Sequence, residues 1–322
     1  MEYQPNNILI TGGAGFIGSN FINYFHEKHP DKQIINLDRL DYCANKNNVI
    51  NKTNYKLVIG DINNTELVNY ILEENNIDTV IHFAAQTHVD NSFGNSINFS
   101  TDNIKGTHTL LECCRVYNKI KRFIHISTDE VYGQVSLNHP GCLENTFELD
   151  PTNPYAATKL GAEYLVKSYY HSFKLPIIIT RGNNVFGPRQ HFEKLIPRFI
   201  KLLNENNLCT IHGQGAARRN FIHVNDVVTA IETILYKGTI NEIYNIGSHN
   251  EYSVMDIATK LINILKPNDA INSWIKYVDD RYFNDFRYAI NCDKLKNLGW
   301  KETIDFTNGL KETINWYLIM NL

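Results

Sequence analysis

The 322-residue chain has 31 basic and 34 acidic residues, a formal net charge of −3 and 43% apolar residues. It contains no block of like charge, which argues against nucleic acid or an anionic membrane as a partner. No apolar run approaches the roughly 18 residues that span a bilayer, and the N-terminus does not resemble a signal peptide, so a cytoplasmic protein of about two domains is expected.

Asn7-Ile-Leu-Ile10 reads as a short strand that runs into Thr11-Gly-Gly-Ala-Gly-Phe-Ile-Gly18, after which Phe21, Ile22 and Phe25 fall at helical spacing. The spacing of Gly12, Gly15 and Gly18 permits a tight turn, lets backbone approach a pyrophosphate and aims the helix N-terminus at the phosphates. A second strand, Gln33-Ile-Ile-Asn-Leu37, ends in Asp38. A carboxylate there would accept both ribose hydroxyls of an adenosine and repel a 2′-phosphate, which favours NAD over NADP.

The strand at 55–59 leads to Gly60-Asp61, a carboxylate placed to meet an adenine amino group, and a helix is expected over 65–75. The strand at 79–83 runs into Ala84-Ala85, small residues that suit either a cofactor lying on backbone or tight helix packing. A long helix is expected over 96–117, with Asn103 on its solvent side. Arg122-Phe-Ile-His-Ile126 is a buried strand whose C-terminal end presents Ser127-Thr128-Asp129-Glu130, where open α/β sheets place ligands. Asn153-Pro154 then reads as an N-cap with proline at the first helical position, so Tyr155 and Lys159 share a helix face. The ammonium is expected to lower the phenol pKa, with Thr128 donating to the same oxygen, making Tyr155 a base.

Strands alternating with helices through the strand at 176–180 predict an α/β fold, a doubly wound parallel sheet with a smaller C-terminal substrate-binding region. The expected division is 1–184 and 185–322, with 224–246 returning to the first unit behind an Asn225-Asp226 N-cap. Asp279 to Tyr288 mixes aromatic and charged residues, as a diphosphate clamp or a solvated loop would. The six cysteines, at 43, 113, 114, 142, 209 and 292, have no Cys-x-x-Cys spacing and read as reduced thiols, with no metal site expected.

The glycine turn, Asp38, Thr128 and the Tyr155 to Lys159 spacing together resemble an extended short-chain dehydrogenase/reductase over nearly the whole chain. Within it, Thr128-Asp129-Glu130 resembles the nucleoside-diphosphate-glucose 4,6-dehydratases, and Leu40-Asp-Tyr-Cys43, the string from His82 to Ser96, Arg181-Gly-Asn-Asn-Val185 and Asp280-Arg281 resemble the UDP-glucose enzymes of eukaryotic rhamnose synthesis. The resemblance implies NAD contacts at Gly12, Gly15, Phe16, Ile17, Gly18, Asp38, Asp61, Ile62, Ala84, Ala85, Tyr155 and Lys159. It implies catalysis by Thr128, Asp129, Glu130, Tyr155 and Lys159, with Asp129 as acid and Glu130 as base. Substrate contacts are implied at His88, Asn184, Glu193, Lys194, Arg219, Asn245 and Arg281. Phe192 stands where a proline is usual, and Tyr282 and Asn284 replace residues of the bacterial dTDP enzymes, which tilts the base from thymine to uracil. UDP-glucose is the expected substrate and dTDP-glucose the alternative. A homodimer paired through the helices at 96–117 and 154–173 is also implied, with later epimerase and reductase steps left to a separate protein.

Overall fold

The computed structural model describes residues 3–50, 53–280 and 284–320. The first strands and helices are β1 (Asn7–Thr11), α1 (Phe16–Lys28), β2 (Gln33–Asp38), β3 (Tyr55–Ile59), α2 (Thr65–Glu74) and β4 (Thr79–His82). Short helices α3 (Val89–Gly94) and α4 (Ser96–Phe99) precede a π-helical stretch, Ser100–Lys105, that continues into α5 (Gly106–Tyr117). Next come β5 (Arg122–Thr128), α6 (Pro154–Phe173) and β6 (Ile177–Gly182).

These strands form a seven-stranded parallel sheet in the order β3-β2-β1-β4-β5-β6, closed at the far edge by β10 (Ile243–Ile246). The order reverses between β1 and β4, and that switch point opens a crevice at the carboxyl ends of the strands. Strands covered on both faces are apolar throughout, as Ile8, Leu9, Ile10, Ile34, Ile35, Phe123 and Ile124 are, all fully buried. One face packs on α1 and α8 (Val224–Lys237), the other on α2, α5 and α6. Residues 224–246 thus lie in the core, while the helix they open is capped by His223, whose ring accepts the Asn225 N–H, and not by Asn225 or Asp226. Asp226 instead turns inward to accept the N–H groups of Thr303 and Ile304.

The remaining elements are β7 (Asn184–Phe186), α7 (Leu195–Asn204), β8 (Cys209–His212), β9 (Arg218–His223), β11 (Glu251–Ser253), α9 (Val254–Leu265), β12 (Ile275–Val278), α10 (Asp293–Lys296) and α11 (Phe306–Ile319). They build two small sheets, β11-β9-β7 and β12-β8, around a separate apolar cluster that includes Phe199, Ile211, Leu261 and Phe306. Among the described residues no helix is long and apolar enough to cross a membrane, no cysteine is bonded to another, and no cluster of ligating side chains could hold a metal.

The helix expected over 96–117 is continuous from Ser96 to Tyr117, but its Ser100–Lys105 turn is wound as a π-helix, and that local change has a cause. Asn103 is 2% exposed, not solvated: its Oδ1 accepts the Gln86 N–H, while its Nδ2 donates to the Gln86 carbonyl and to Thr158 Oγ1. A buried amide so fully committed costs little to bury. It also fixes the π-helical turn against the strand-to-helix segment after β4.

Candidate active site

One cleft of about 460 Å³ runs along the carboxyl ends of β1, β2, β4, β5 and β6. Its first wall is the turn after β1. Gly12 has φ +72°, and an added Cβ would stand 2.6 Å from the Ala84 backbone nitrogen, so only glycine lets the two strand ends approach. Gly15 heads α1 with no side-chain cap, and Gly15, Phe16, Ile17 and Gly18 line the cleft. The uncapped N-terminus leaves backbone N–H groups for an anion, which fits a dinucleotide pyrophosphate.

Asp38 lies across from this turn, its two carboxylate oxygens accepting the N–H groups of Ala14 at 2.9 Å and Leu40 at 2.8 Å. Each oxygen keeps a second lone pair for a ribose hydroxyl. Asp61 Oδ1 is oriented by the backbone and side-chain nitrogens of Asn63, and Ile62, Ala84 and Ala85 complete this wall. Arg39 follows Asp38 but is drawn away, donating to Asp41 and Asp102 at 2.6 Å each and to Asp61 at 3.3 Å. Gln86 Nε2 binds the same two partners, Asp41 and Asp102. A cation so occupied has little left to offer a 2′-phosphate, so these residues fit NAD.

At the end of β5 the side chains of Thr128, Asp129 and Glu130 converge with Tyr155 and Lys159 of α6 in the same cleft. Asn153 caps α6 through the Ala156 N–H and Pro154 opens it, which aims Tyr155 and, one turn on, Lys159 at β5. Burial, and then the neighbouring Glu130 charge, push the Asp129 carboxyl up to about 7. Glu130 is also raised by burial, with the Asn153 amide and Arg219 pulling it back. A neutral acid beside an ionised base is thereby attainable near neutral pH.

The Tyr155 to Lys159 relationship differs from the expected one. Burial, then Glu130, hold the phenol well above its ordinary value, with Thr128 opposing. Lys159 Nζ donates to the Ile126 carbonyl at 2.6 Å, and burial lowers the ammonium to about 8. The i, i+4 spacing put both groups on one face but could not foresee that a strand-end carbonyl competes for the ammonium.

Of the other expected contacts, His88, Asn184, Glu193, Lys194 and Arg219 line the cleft. Asn245 does not: it is fully buried on β10, donating to the carbonyls of Cys142 and Asn291 and accepting from Tyr132, so it serves the packing behind the site. Arg281, like Tyr282, lies outside the described residues. From the 279–288 segment, Asn284, Asp285 and Tyr288 reach the cleft, while Arg287 is tied to Glu251 and to the Ser136 carbonyl. Sequence reasoning missed Asn183 and the Glu130 contact of Asn153. The cap position at 153 was legible; what its second amide atom touches was not.

The family description GDP-mannose 4,6 dehydratase matches residues 9–313. A trifunctional UDP-glucose 4,6-dehydratase/UDP-4-keto-6-deoxy-D-glucose 3,5-epimerase/UDP-4-keto-L-rhamnose-reductase of Arabidopsis thaliana is 49% identical over 98% of this chain, which spans only 47% of the plant protein. A dTDP-D-glucose 4,6-dehydratase of Dictyostelium discoideum is 47% identical, covering 96% of this chain and 81% of that protein. Among solved structures, a dTDP-glucose 4,6-dehydratase of Bacillus anthracis in complex with NAD superposes with a TM-score of 0.89 at 38% identity, over 98% of this chain and 97% of that one.

Proposed function

The chain belongs to the GDP-mannose 4,6 dehydratase family of extended short-chain dehydrogenases, and from that membership we propose that it is an NAD-dependent nucleoside-diphosphate-glucose 4,6-dehydratase acting on UDP-glucose. The observation that carries the reading is the set of three proton-transfer groups, Asp129, Glu130 and Tyr155, that line one cleft with both carboxylates close enough to act on the phenol. An enzyme that only inverts C4 has no use for the acid and base pair.

Bound NAD would accept the C4 hydride and return it to C6, and its positive charge would favour a phenolate nearby. The chain's own residues move the protons. Tyr155 Oη takes the proton of the glucose 4-hydroxyl, with Thr128 as its hydrogen-bond donor and Lys159 pinning α6 to β5. The resulting C4 ketone acidifies the C5 hydrogen, which Glu130 removes. Asp129 protonates the departing C6 hydroxyl and water leaves; Glu130, protonated in the elimination, then returns a proton to C5 as hydride reaches C6. Arg219 and Lys194, cations beside Glu130 in the cleft, are placed to bind the diphosphate. Gly12, Gly15 to Gly18, Asp38, Asp61, Ile62, Ala84 and Ala85 hold the cofactor.

Support for uracil comes from the plant relative's printed name and from Tyr282 and Asn284 in the sequence; the Dictyostelium relative is named for dTDP. Separate incubations with UDP-glucose and dTDP-glucose decide between them, the product being lighter by one water. Product of unchanged mass would identify a C4 epimerase instead. We also propose a homodimer through the α5 and α6 faces, where Val116, Tyr164 and Phe173 are exposed; light scattering tests it.

A further inference from the structure

Asp129 and Glu130 each accept a hydrogen bond from one asparagine, and both amides are oriented from behind. Asn183 Nδ2 donates to Asp129 Oδ2 at 2.7 Å, while its Oδ1 accepts the Ser248 N–H at 3.2 Å. A flipped amide would turn its NH2 on the Ser248 N–H, donor against donor, and its oxygen on the carboxylate. Gly247 crowds the same oxygen: a Cβ there would stand 2.1 Å from Asn183 Oδ1. Asn153 Nδ2 donates to Glu130 Oε2 at 2.9 Å, and its Oδ1 is committed to the cap of α6. Both asparagines are buried, at 5% and 6% exposure.

A carboxyl oxygen that accepts an amide N–H cannot also point a proton along that line. We propose that Asn183 and Asn153 are positioning residues that divide the work between the two carboxylates: Asn183 confines the Asp129 proton to Oδ1, and Asn153 leaves Glu130 Oε1 as the proton acceptor. The assignment rests on the dehydratase reading above. Thr128 Oγ1, 3.3 Å from Asp129 Oδ1, is compatible with it, because a hydroxyl accepts as readily as it donates and an amide NH2 does not.

The charged and titratable groups facing Asp129 are Glu130, Arg219, Tyr155 and Cys142. Those facing Glu130 are Asp129, Arg219, Lys194, Asp285, Tyr155 and Tyr288. Arg219 and Tyr155 face both carboxylates, so a disturbance of the cleft as a whole moves both titrations together. Each asparagine bonds only one of the two.

The test is the pH dependence of single-turnover water loss from UDP-glucose, read by product mass. Asn183→Asp keeps the shape and the Ser248 bond but replaces the donor to Asp129 with an acceptor. Asn153→Ser keeps the cap and loses the donor to Glu130. Losing a donor raises a carboxyl pKa. Asn183→Asp should therefore move the basic limb, set by the acid, up by about one pH unit and leave the acidic limb in place. Asn153→Ser should move the acidic limb, set by the base, up by about one unit and leave the basic limb in place. Asn183→Ala carries the same basic-limb expectation should the charged variant fold poorly, and Gly247→Ala should repeat it by pushing Asn183 aside. Equal loss at every pH with both limbs fixed, or both limbs moving together, overturns the proposal. If the parent protein removes water from neither UDP-glucose nor dTDP-glucose, the dehydratase reading itself fails. Water loss by the parent with unshifted variants sinks the asparagine assignment alone.

Discussion

Lys159 Nζ stands 2.6 Å from the carbonyl oxygen of Ile126, so the cation of α6 is fastened to β5 two residues before Thr128 and just ahead of Asp129 and Glu130. One hydrogen bond thus sets the distance between the helix that carries the phenol and the strand end that carries both carboxylates. Lys159→Met removes it along with the charge. The first half-reaction, read as substrate-dependent near-ultraviolet absorbance of reduced nicotinamide, should slow by about 10²-fold or more. Lys159→Met that reduces cofactor at the parent rate would remove Lys159 from the catalytic set.

Asn103 joins the π-helical stretch to Gln86 and to Thr158 of α6. Asn103→Leu leaves the part-buried N–H and carbonyl of Gln86 without these partners, at a cost of about 1–3 kcal/mol. Urea unfolding should register that loss, whereas a solvated asparagine would leave the midpoint unchanged.

The Asp129 carboxyl is raised from 3.8 to about 7, so its protonated form supports the fold fully below about pH 4, and this contribution is lost as pH rises through 7. Asp129→Asn abolishes the titration while keeping the shape. The variant should melt higher than the parent above neutral pH, by an amount on the order of 2–4 kcal/mol, and match it near pH 4. Thermal scans at both ends of that window check the sign; an advantage confined to low pH would contradict it.

Asp38 faces the cleft with one free lone pair on each oxygen, and Arg39 beside it is held by Asp41 and Asp102. Asp38→Asn should weaken NAD retention about tenfold, the value of a lost charge-assisted hydrogen bond, and relax discrimination against NADP. Fluorescence titration with both nucleotides reads this. Unchanged affinities would mean that the ribose is held elsewhere.

Glu130 and Tyr155 are assigned to different steps, so their variants should stop at different points. Glu130→Gln should show a substrate-induced rise in reduced-nicotinamide absorbance that persists, and Tyr155→Phe little rise at all. In heavy water the parent should place deuterium at C5 of the product and none at C6. Solvent deuterium at C6 would contradict the division between Glu130 and the hydride carrier.

Much of this architecture is written in local pattern. The apolar strands, the glycine turn, Asp38 at the end of β2 and the Asn153-Pro154 start of α6 follow from periodicity, capping and φ/ψ preference, each a property of a few neighbouring residues. Strand alternation was enough to anticipate a parallel doubly wound sheet, because a helix between two strands forces a crossover.

What the chain order alone could not decide is which polar groups meet across long separations. Asn183 and Asp129 follow the last register pair of β5 and β6, Thr128 and Gly182, a pairing that no single strand's pattern discloses; Asn103 meets Thr158 of α6 and Arg39 meets Asp102 across 55 and 63 residues of chain. Asn245 is a substrate contact by the family resemblance and a fully buried packing residue in space. The pKa order of Asp129, Glu130, Tyr155 and Lys159 is likewise tertiary, because desolvation is the leading cause of every one of those shifts. Local pattern specifies which proton-transfer groups are present and on which elements they stand; packing sets how much water each has lost and which amide or carbonyl holds it, since burial is a property of the whole fold.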